Sequence, residues 1–438
     1  MGELTKGTVL YSTNRDSIKI LDLIGEGGQG KVYKVQYKNK QCALKWYWKG
    51  KETEEFYNNL KHNVDLGSPN RCFLWPVAIT ERDNNNCFGY VMELRKNSYY
   101  EFSKFLTAQI KFSNFKAIIN AALQLATSFL QLHARGQSYQ DLNDGNFFIN
   151  PNTGYVLICD NDNVAPDKKN LGIKGKPGYM APEVLNEDSN DMPDKYSDRF
   201  SLAVVLFLLF FRDHPLKGMR EDPDDPFGEN EYEIMCKNPV FIFDEKDKSN
   251  RPRPCYKNAT KFWKIYPPFI LDTFKKAFSK ELMCNSGKNK EDRITESEWC
   301  KKIAWLRRCL IICPKCKKET FFPLKKDESK CMVCQQFIHR PSVLVFKDKV
   351  LPLQLDQNIY QYDIEDVDFT FDAIRKKVGV VVENKKQKGK FGIKNLSSYA
   401  WYKTTPKGAE TVCEPNDGVL IAKNNKIKFG NKLEATIN

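Results

Sequence analysis

The 438-residue chain is 41% hydrophobic and 28% charged and has no low-complexity tract or long repeat. This composition excludes global disorder, and the length leads one to expect two or three domains. The net charge of +14 is unevenly placed, with 27 Lys or Arg against 15 Asp or Glu in residues 301–438, so a basic partner surface, if there is one, is expected in the C-terminal third.

The longest apolar run, Phe200 to Phe211, is far shorter than the ~20 residues needed to cross a bilayer and reads as a buried helix. The chain opens Met1, Gly2, Glu3, Leu4 without the basic-then-apolar order of a signal peptide, and Lys6 stands where a myristoylation signal has Ser or Thr. The 14 cysteines are mostly scattered singly, which suits reduced thiols better than a disulfide framework. A cytoplasmic location without a membrane partner is the expectation.

Taken along the chain, alternation of apolar and polar residues from Ile18 to Val35 predicts two strands joined by a tight turn. That turn holds Ile24, Gly25, Glu26, Gly27, Gly28, Gln29, Gly30, Lys31 and Val32. Glycines let backbone N–H groups approach phosphate oxygens, and Val32 is placed to cover a nucleotide base. Thirteen residues after Val32, Lys45 follows Ala43 and Leu44 in an apolar strand, as a buried phosphate-binding cation would. Such a lysine needs a carboxylate to hold it. Glu52, Glu54 and Glu55 open the next helix, whereas counting back from Ser68, Pro69 and Asn70 puts Asn59 at the usual place. Glu55 is the preferred candidate, and the plainer alternative is that these glutamates complement the helix dipole. Gly89 to Leu94 reads as a buried strand running into a connector, with Met92, Glu93 and Leu94 offering backbone groups to the base.

Phe115 to His133 has the apolar spacing of a core helix. Tyr139, Gln140, Asp141, Leu142, Asn143, Asp144, Gly145, Asn146 follow, and an apolar strand then ends in Cys159, Asp160, Asn161, Asp162. These segments resemble the catalytic loop and metal-binding motif of eukaryotic-type (Hanks-like) protein kinases. Met180 to Glu183 resembles the end of the activation segment, and Tyr196 to Leu202 the start of the central helix of the large lobe. The resemblance spans about residues 15 to 307. It implies that Asp141 is the catalytic aspartate, that Asn146 and Asp160 hold Mg2+ (or Mn2+), and that Lys45 binds ATP phosphates. It also implies that Arg293 pairs with Glu183 and that Asp198 is a structural anchor.

The departures from the family pattern narrow the expectation. Gln140 replaces the arginine that captures an activation-segment phosphate, and the stretch Asp160 to Glu183 contains no Ser or Thr, Tyr179 being its sole hydroxyl. A loop active without its own phosphorylation is therefore expected. Asn161 and Asp162 replace the usual Phe and Gly. Polar Asn161 cannot serve as an apolar plug, and Asp162 either adds a carboxylate to the metal site or caps a turn. Asn143 replaces the lysine common in Ser/Thr enzymes and Lys176 falls near their usual threonine, so Ser/Thr specificity is the family default rather than a motif.

Beyond the kinase-like region, Cys313-Pro314-Lys315-Cys316 and Cys331-Met332-Val333-Cys334 can close a tetrahedral, structural Zn2+ site resembling a zinc ribbon. His339 nearby reads as an ordinary surface or core histidine. The ribbon is rich in lysine but lacks aromatic interleaving, which argues for a spacer or protein-docking role over nucleic-acid binding. The last hundred residues turn to short β stretches, Val343 to Phe346, Val378 to Val382, Val419 to Ala422 and Lys426 to Phe429, with Asn424 and Asn425 suited to a hairpin between the last two. A β-sandwich is expected. Gly392 to Ser397, Trp401 and Ile427 to Gly430 are similar to a divergent forkhead-associated domain, which implies a phosphoprotein partner, although that family's Gly-Arg and Ser-x-x-His signatures are not found.

The expected fold class is α+β: a bilobal protein kinase over 1–307 (small lobe about 15–95, large lobe about 96–307), a zinc ribbon over 308–340 and an all-β sandwich over 341–438. The expected activity is transfer of the γ-phosphate of Mg-ATP to Ser/Thr of protein substrates. A catalytically silent nucleotide-binding scaffold is the alternative.

Overall fold

The computed structural model describes residues 4–48, 50, 53–173, 175–222, 224–225, 228–255, 257–385, 387–430 and 433–438. Met1, Gly2, Glu3 and Glu52, which entered the sequence reading, lie outside the described residues. The chain divides into two compact units. Among the described residues no helix is long and apolar enough to cross a membrane.

The first unit comprises Met1–Phe112, Ser128–Ala259 and Phe274–Thr295. Its elements begin with β1 (Val9–Tyr11), β2 (Ser17–Gly27), β3 (Gly30–Tyr37), β4 (Lys40–Tyr47), α1 (Glu54–Leu66), β5 (Ala78–Ile79) and β6 (Gly89–Glu93). The strands form one antiparallel sheet in the order β1-β2-β3-β4-β6-β5. Period-two alternation sorts their side chains. Leu44 and Trp46 join Ile18, Ile20, Val35 and Val91 in one apolar cluster, whereas Ala43 and Tyr47 join Leu60 of α1, Leu74, Tyr90 and Met92 in another. Lys45 lies between Ala43 and Tyr47 and so shares this second face. A Cβ at Gly30 would stand 2.1 Å from the carbonyl oxygen of Trp46, so this glycine permits the close approach of β3 to β4; nothing lies within 4 Å of a Cβ built at Gly27 or Gly28.

The apolar run expected to be a buried helix belongs to Lys195–Phe211. Its N-terminus is a capping box, with the Asp194 side chain accepting from Ser197 N and the Ser197 hydroxyl accepting from Asp194 N. The helix is apolar nearly all round and buried accordingly. Its Phe207 packs edge to face with Phe241 and Phe274, its Phe211 edge to face with Phe274, and Phe241 stacks on Phe278.

The second unit comprises Ser113–Thr127, Thr260–Thr273 and Glu296–Asn438. The helix Phe115–His133 forms as the spacing requires, and in this unit the carboxylate of Glu319 accepts from the N–H groups of Phe115 and Lys116 at its first turn, at 2.6 and 3.4 Å. Two small hairpins, Leu310–Ile312 with Glu319–Phe321 and Glu328–Lys330 with Phe337–His339, share a core of Ile311, Phe322, Leu324 and Ile338 with two of the cysteines.

The C-terminal region is all β. A six-stranded sheet runs Val350–Pro352, Val343–Val345, Leu433–Ile437, Lys426–Phe429, Trp401–Thr404, Glu410–Cys413. A four-stranded sheet runs Asn358–Tyr360, Lys377–Glu383, Phe391–Asn395, Gly418–Leu420. Leu344, Trp401, Phe429 and Ile437 of the first share one core with Ile359, Val378, Val381, Ile393 and Val419 of the second. The hairpin expected at Asn424 and Asn425 is not formed. Asn424 does turn the chain, with φ 64°, but Gly418–Leu420 pairs with Phe391–Asn395 while Lys426–Phe429 pairs with Trp401–Thr404 and Leu433–Ile437, so the turn carries the chain from one sheet to the other.

Candidate active site

Asp198, near the start of the buried helix, fixes the loop that carries Asp141. Its carboxylate accepts from the backbone N–H of Tyr139 at 2.6 Å and of Gln140 at 2.8 Å, and His133 Nε2 lies 3.0 Å from the same group. Gln140 takes the left-handed conformation at φ 72°, which turns Asp141 away from the helix. Asn143 donates to Asp141 Oδ1 and Asn146 to Asp141 Oδ2, each at 2.9 Å, and Asn163 approaches Oδ2 at 3.4 Å. Burial pushes the Asp141 carboxyl up to about 6, against the lowering effect of the two asparagine donors, with Asp160 adding to the rise. A carboxylate with that affinity for a proton, oriented by amides on both oxygens, suits acceptance of a proton from a hydroxyl at neutral pH.

Lys45 faces this loop from β4 and is 5% exposed. Its Nζ donates to Asp160 Oδ1 at 3.1 Å, to Asp162 Oδ2 at 2.9 Å and to Gln29 Oε1 at 2.8 Å. Burial pulls its pKa down, but Asp162 and Asp160 together hold it above the ordinary lysine value. The preferred helix carboxylate, Glu55, is not its partner: the Glu55 side chain is 62% exposed and pairs with Lys169 at 3.2 Å. Glu55 and Asn59 share one face of α1 at i and i+4, but Glu55 stands in the exposed first turn and Asn59 in the buried turn that follows. Neither expected role of Asp162 matches its geometry. Asp162 lies within the short turn Asn161–Asn163, but its carboxylate is buried against Lys45, Tyr47 and Tyr90 rather than capping that turn or facing the cleft. Asn161 is fully buried and donates to the carbonyl of Ile158.

A cleft of about 610 Å³ opens beside these groups. All the residues expected to receive a nucleotide line it: Ile24, Gly25, Gly27, Gly28, Gly30 and Val32 from the glycine-rich turn, Ala43 and Lys45 from β4, and Met92, Glu93 and Leu94 from β6 and the connector. Leu74, Phe148 and Gln29 line it as well and were not foreseen. Phe148 follows Asn146 by two residues in the strand Phe147–Asn150, so strand alternation after the asparagine was the available signal. Asp160 also lines the cleft, its side chain 37% exposed. Its carboxylate and the amide oxygen of Asn146, whose nitrogen is committed to Asp141, are hard oxygen donors of the kind Mg2+ takes.

The segment after Asp160 is held by side-chain amides together with the ion pairs Lys169–Glu55 and Lys176–Asp144. Gln140 Nε2 donates to the carbonyl of Lys169 at 2.6 Å, and Asn170 Nδ2 donates to Gln140 Oε1 at 3.1 Å. Tyr179 is buried, and His214 Nε2 lies 2.7 Å from the carbonyl of Gly178. Glu183 and Arg293 form the expected pair, bidentate at 2.8 and 2.7 Å.

In the second unit the Sγ atoms of Cys313, Cys316, Cys331 and Cys334 lie within 4.8 Å of one another, with Cys313 to Cys334 at 3.9 Å and Cys316 to Cys331 at 3.8 Å. A tetrahedron with metal–sulfur bonds of about 2.3 Å has edges of about 3.8 Å, so the four thiols fit a Zn2+ ion. His339 is not in this group.

The chain is similar to a serine/threonine-protein kinase PLK4 of Nematostella vectensis, 27% identical over 208 residues that cover 44% of this chain and 20% of that protein. It is also similar to a mitogen-activated protein kinase kinase kinase dlk-1 of Caenorhabditis briggsae, 24% identical over 307 residues, 66% of this chain and 31% of that protein. A serine/threonine-protein kinase TIO of Arabidopsis thaliana is 25% identical over 202 residues, 45% of this chain and 15% of that protein. The chain thus spans less than a third of the length of each of these relatives. Residues 18–304, more than half of the chain, match the protein kinase domain, and the chain belongs to the protein kinase family.

Proposed function

We propose that this chain is an active protein kinase that transfers the γ-phosphate of Mg-ATP to Ser or Thr hydroxyls of protein substrates. The observation that carries this reading is the pairing of an oriented Asp141, held on both oxygens, with a buried Lys45 ion-paired to Asp160 at the edge of the nucleotide cleft. Lys45 would bind phosphate oxygens, Asp160 and Asn146 would hold magnesium, and Asp141 would orient the acceptor hydroxyl and take its proton. Bound magnesium would neutralise charge on the phosphates. Gly27 and Gly28, open to the cleft, would let the phosphates approach the backbone. The amide clamp of Gln140 and Asn170 supports an activation segment that is ordered without phosphate.

In this reading the kinase region is 1–307, the ribbon 308–340 holds structural zinc, and the sandwich 341–438, forkhead-associated-like, selects partners. Reduced cysteines accord with a cytoplasmic location. Phosphothreonine recognition by the sandwich is tested by titrating the chain with phosphothreonine and unphosphorylated peptides; equal affinity removes it. The kinase reading is tested with labelled ATP, magnesium and generic protein substrates beside Asp141→Ala. Transfer by the native chain and none by the variant is expected, and equal signal from both would leave the nucleotide-binding scaffold as the better description.

A further inference from the structure

The lysine of a kinase cleft is ordinarily held by a glutamate on the helix that follows it, and here the corresponding helix position is Asn59. Asn59 donates its amide to the carbonyl of Val164 at 2.8 Å, and Asn63, one turn later, donates to the same oxygen at 2.8 Å. The helix is therefore fastened to the chain just after Asp162 by neutral hydrogen bonds, and these two residues bring no charge to Lys45. The charge comes from Asp162. Its Oδ1 accepts from Lys45 at 3.2 Å and from the Tyr90 hydroxyl at 3.1 Å, and its Oδ2 accepts from Lys45 at 2.9 Å and from the Tyr47 hydroxyl at 2.7 Å. Three donors, Lys45 to both oxygens and one tyrosine hydroxyl to each, occupy a carboxylate that is 0% exposed and turned away from the cleft. Tyr47 lies two residues after Lys45 on β4, and Tyr90 is paired with Lys45 across the sheet, so the sheet itself supplies the lysine and both hydroxyls on one face.

We infer that Asp162 is the positioning residue for Lys45, in place of a glutamate on α1, so that one turn of chain carries both the metal-facing Asp160 and the anchor of the phosphate-binding lysine. This rests on the proposed kinase reading and deepens it. Displacing α1 would then leave the Lys45 ion pair intact, and swinging that helix cannot serve as an on-off switch at the lysine. Without Asp162 the ammonium of Lys45 keeps only Asp160 and Gln29 as hydrogen-bond partners and loses the contact that fixes its place beside Tyr47 and Tyr90.

The test uses the full chain with Asp162→Asn, which keeps the shape and removes the charge, beside Glu55→Gln. Phosphotransfer and binding of a fluorescent ATP analogue are both followed across magnesium concentration, with folding checked by thermal unfolding. Asp162→Asn is expected to lose roughly 100-fold in kcat/KM for ATP, with analogue binding weakened and the magnesium dependence unchanged. Glu55→Gln is expected to stay within about twofold, as for an exposed ion pair. Native-like activity of folded Asp162→Asn would overturn the inference, as would a raised magnesium requirement with unchanged analogue binding, since that identifies a metal ligand. If Asp162→Asn does not fold, Asp162→Gly with Asn59→Glu restores the usual family arrangement. Recovery of activity there supports the inference, and a folded but inactive double variant counts against it. If the native chain transfers no phosphate the kinase reading fails, while the analogue-binding profile still decides the role of Asp162.

Discussion

Gln140 bridges the catalytic loop and the activation segment, donating to the carbonyl of Lys169 at 2.6 Å and accepting from the Asn170 amide at 3.1 Å. Where many kinases use an arginine and a phosphate, this loop uses two uncharged side chains whose hydrogen bonds need no modification. Tyr179, the segment's only hydroxyl, is buried. Phosphatase treatment should therefore leave the initial rate unchanged. Gln140→Ala should lower it by up to roughly 100-fold, because hydrogen bonds to the Ser138 hydroxyl, the Lys169 carbonyl and the Asn170 amide, about 1 kcal/mol each, are removed from a buried junction. Initial rates before and after phosphatase, with mass spectrometry of the segment, check both outcomes. A phosphate found there whose removal abolishes activity would refute the clamp.

In the proposed kinase reaction, Asp141 would set the acid limit. Burial raises its pKa to about 6, and the Asn143 and Asn146 donors oppose that rise by favouring the charged form. The proton-accepting form is the ionised one, so kcat should fall as pH drops below about 6 and level off above it. Asn143→Ala removes one donor to the carboxylate, which disfavours the charged form and moves the acid limb to higher pH. A pH–rate series at saturating Mg-ATP measures both limbs. A flat profile from about pH 5 to 8, or a limb unmoved by Asn143→Ala, would show that another step limits the rate.

The site was legible in the sequence wherever its signal was local. Asp141, Asn146 and Asp160 stand at fixed short spacings around one loop and one strand, and Lys45 was marked by its apolar strand context. The four cysteines were marked by two knuckles, and Phe115–His133 by its helical period. The anchor of Lys45 was not legible, because Asp162 lies 117 residues away and the contact depends on which way a three-residue turn aims a carboxylate. The two tyrosine hydroxyls that fix that aim come from β4 and β6, and only the register of the sheet brings them together. The choice of Glu55 failed for a related reason: it shares a face of α1 with Asn59 but lies one turn earlier, and which turn of that face meets the chain at Val164 was decided by tertiary packing. The Asn424–Asn425 turn shows the same limit in the C-terminal sheets. Turn chemistry predicted a bend but carried no information about which strands flank it.

The Arg293–Glu183 pair is closed off from solvent, with side chains 3% and 0% exposed, and Arg293 also donates to the carbonyls of Tyr196 and Leu282. A buried pair with both hydrogen bonds made contributes little net stability, but removing one partner strands the other charge. Glu183→Gln or Arg293→Leu should each destabilise the chain by about 3 kcal/mol or more. The double variant should be less damaging than the two single changes combined. Thermal and urea unfolding of the three variants measures this coupling. Strict additivity would mean that the pair acts through its surroundings and not through each other.

The four cysteines make the last prediction. Two of their Sγ separations, 3.8 and 3.9 Å, match the edge of a tetrahedron that would fit zinc and are well beyond the ~2.05 Å of a disulfide. Elemental analysis of the purified full chain should find one zinc per molecule. A strong chelator or Cys316→Ser should remove the metal and lower the midpoint of thermal unfolding, because a structural zinc site contributes folding free energy directly. The loss should extend beyond the ribbon. Glu319, on the strand between the two knuckles, accepts the first N–H groups of the helix Phe115–His133, and releasing the knuckles frees that carboxylate. Hydrogen exchange at Phe115 and Lys116 should then quicken on chelation and slow again when zinc is restored. Absence of metal together with a mass lower by two hydrogens per cysteine pair would identify disulfides instead and remove zinc from the account.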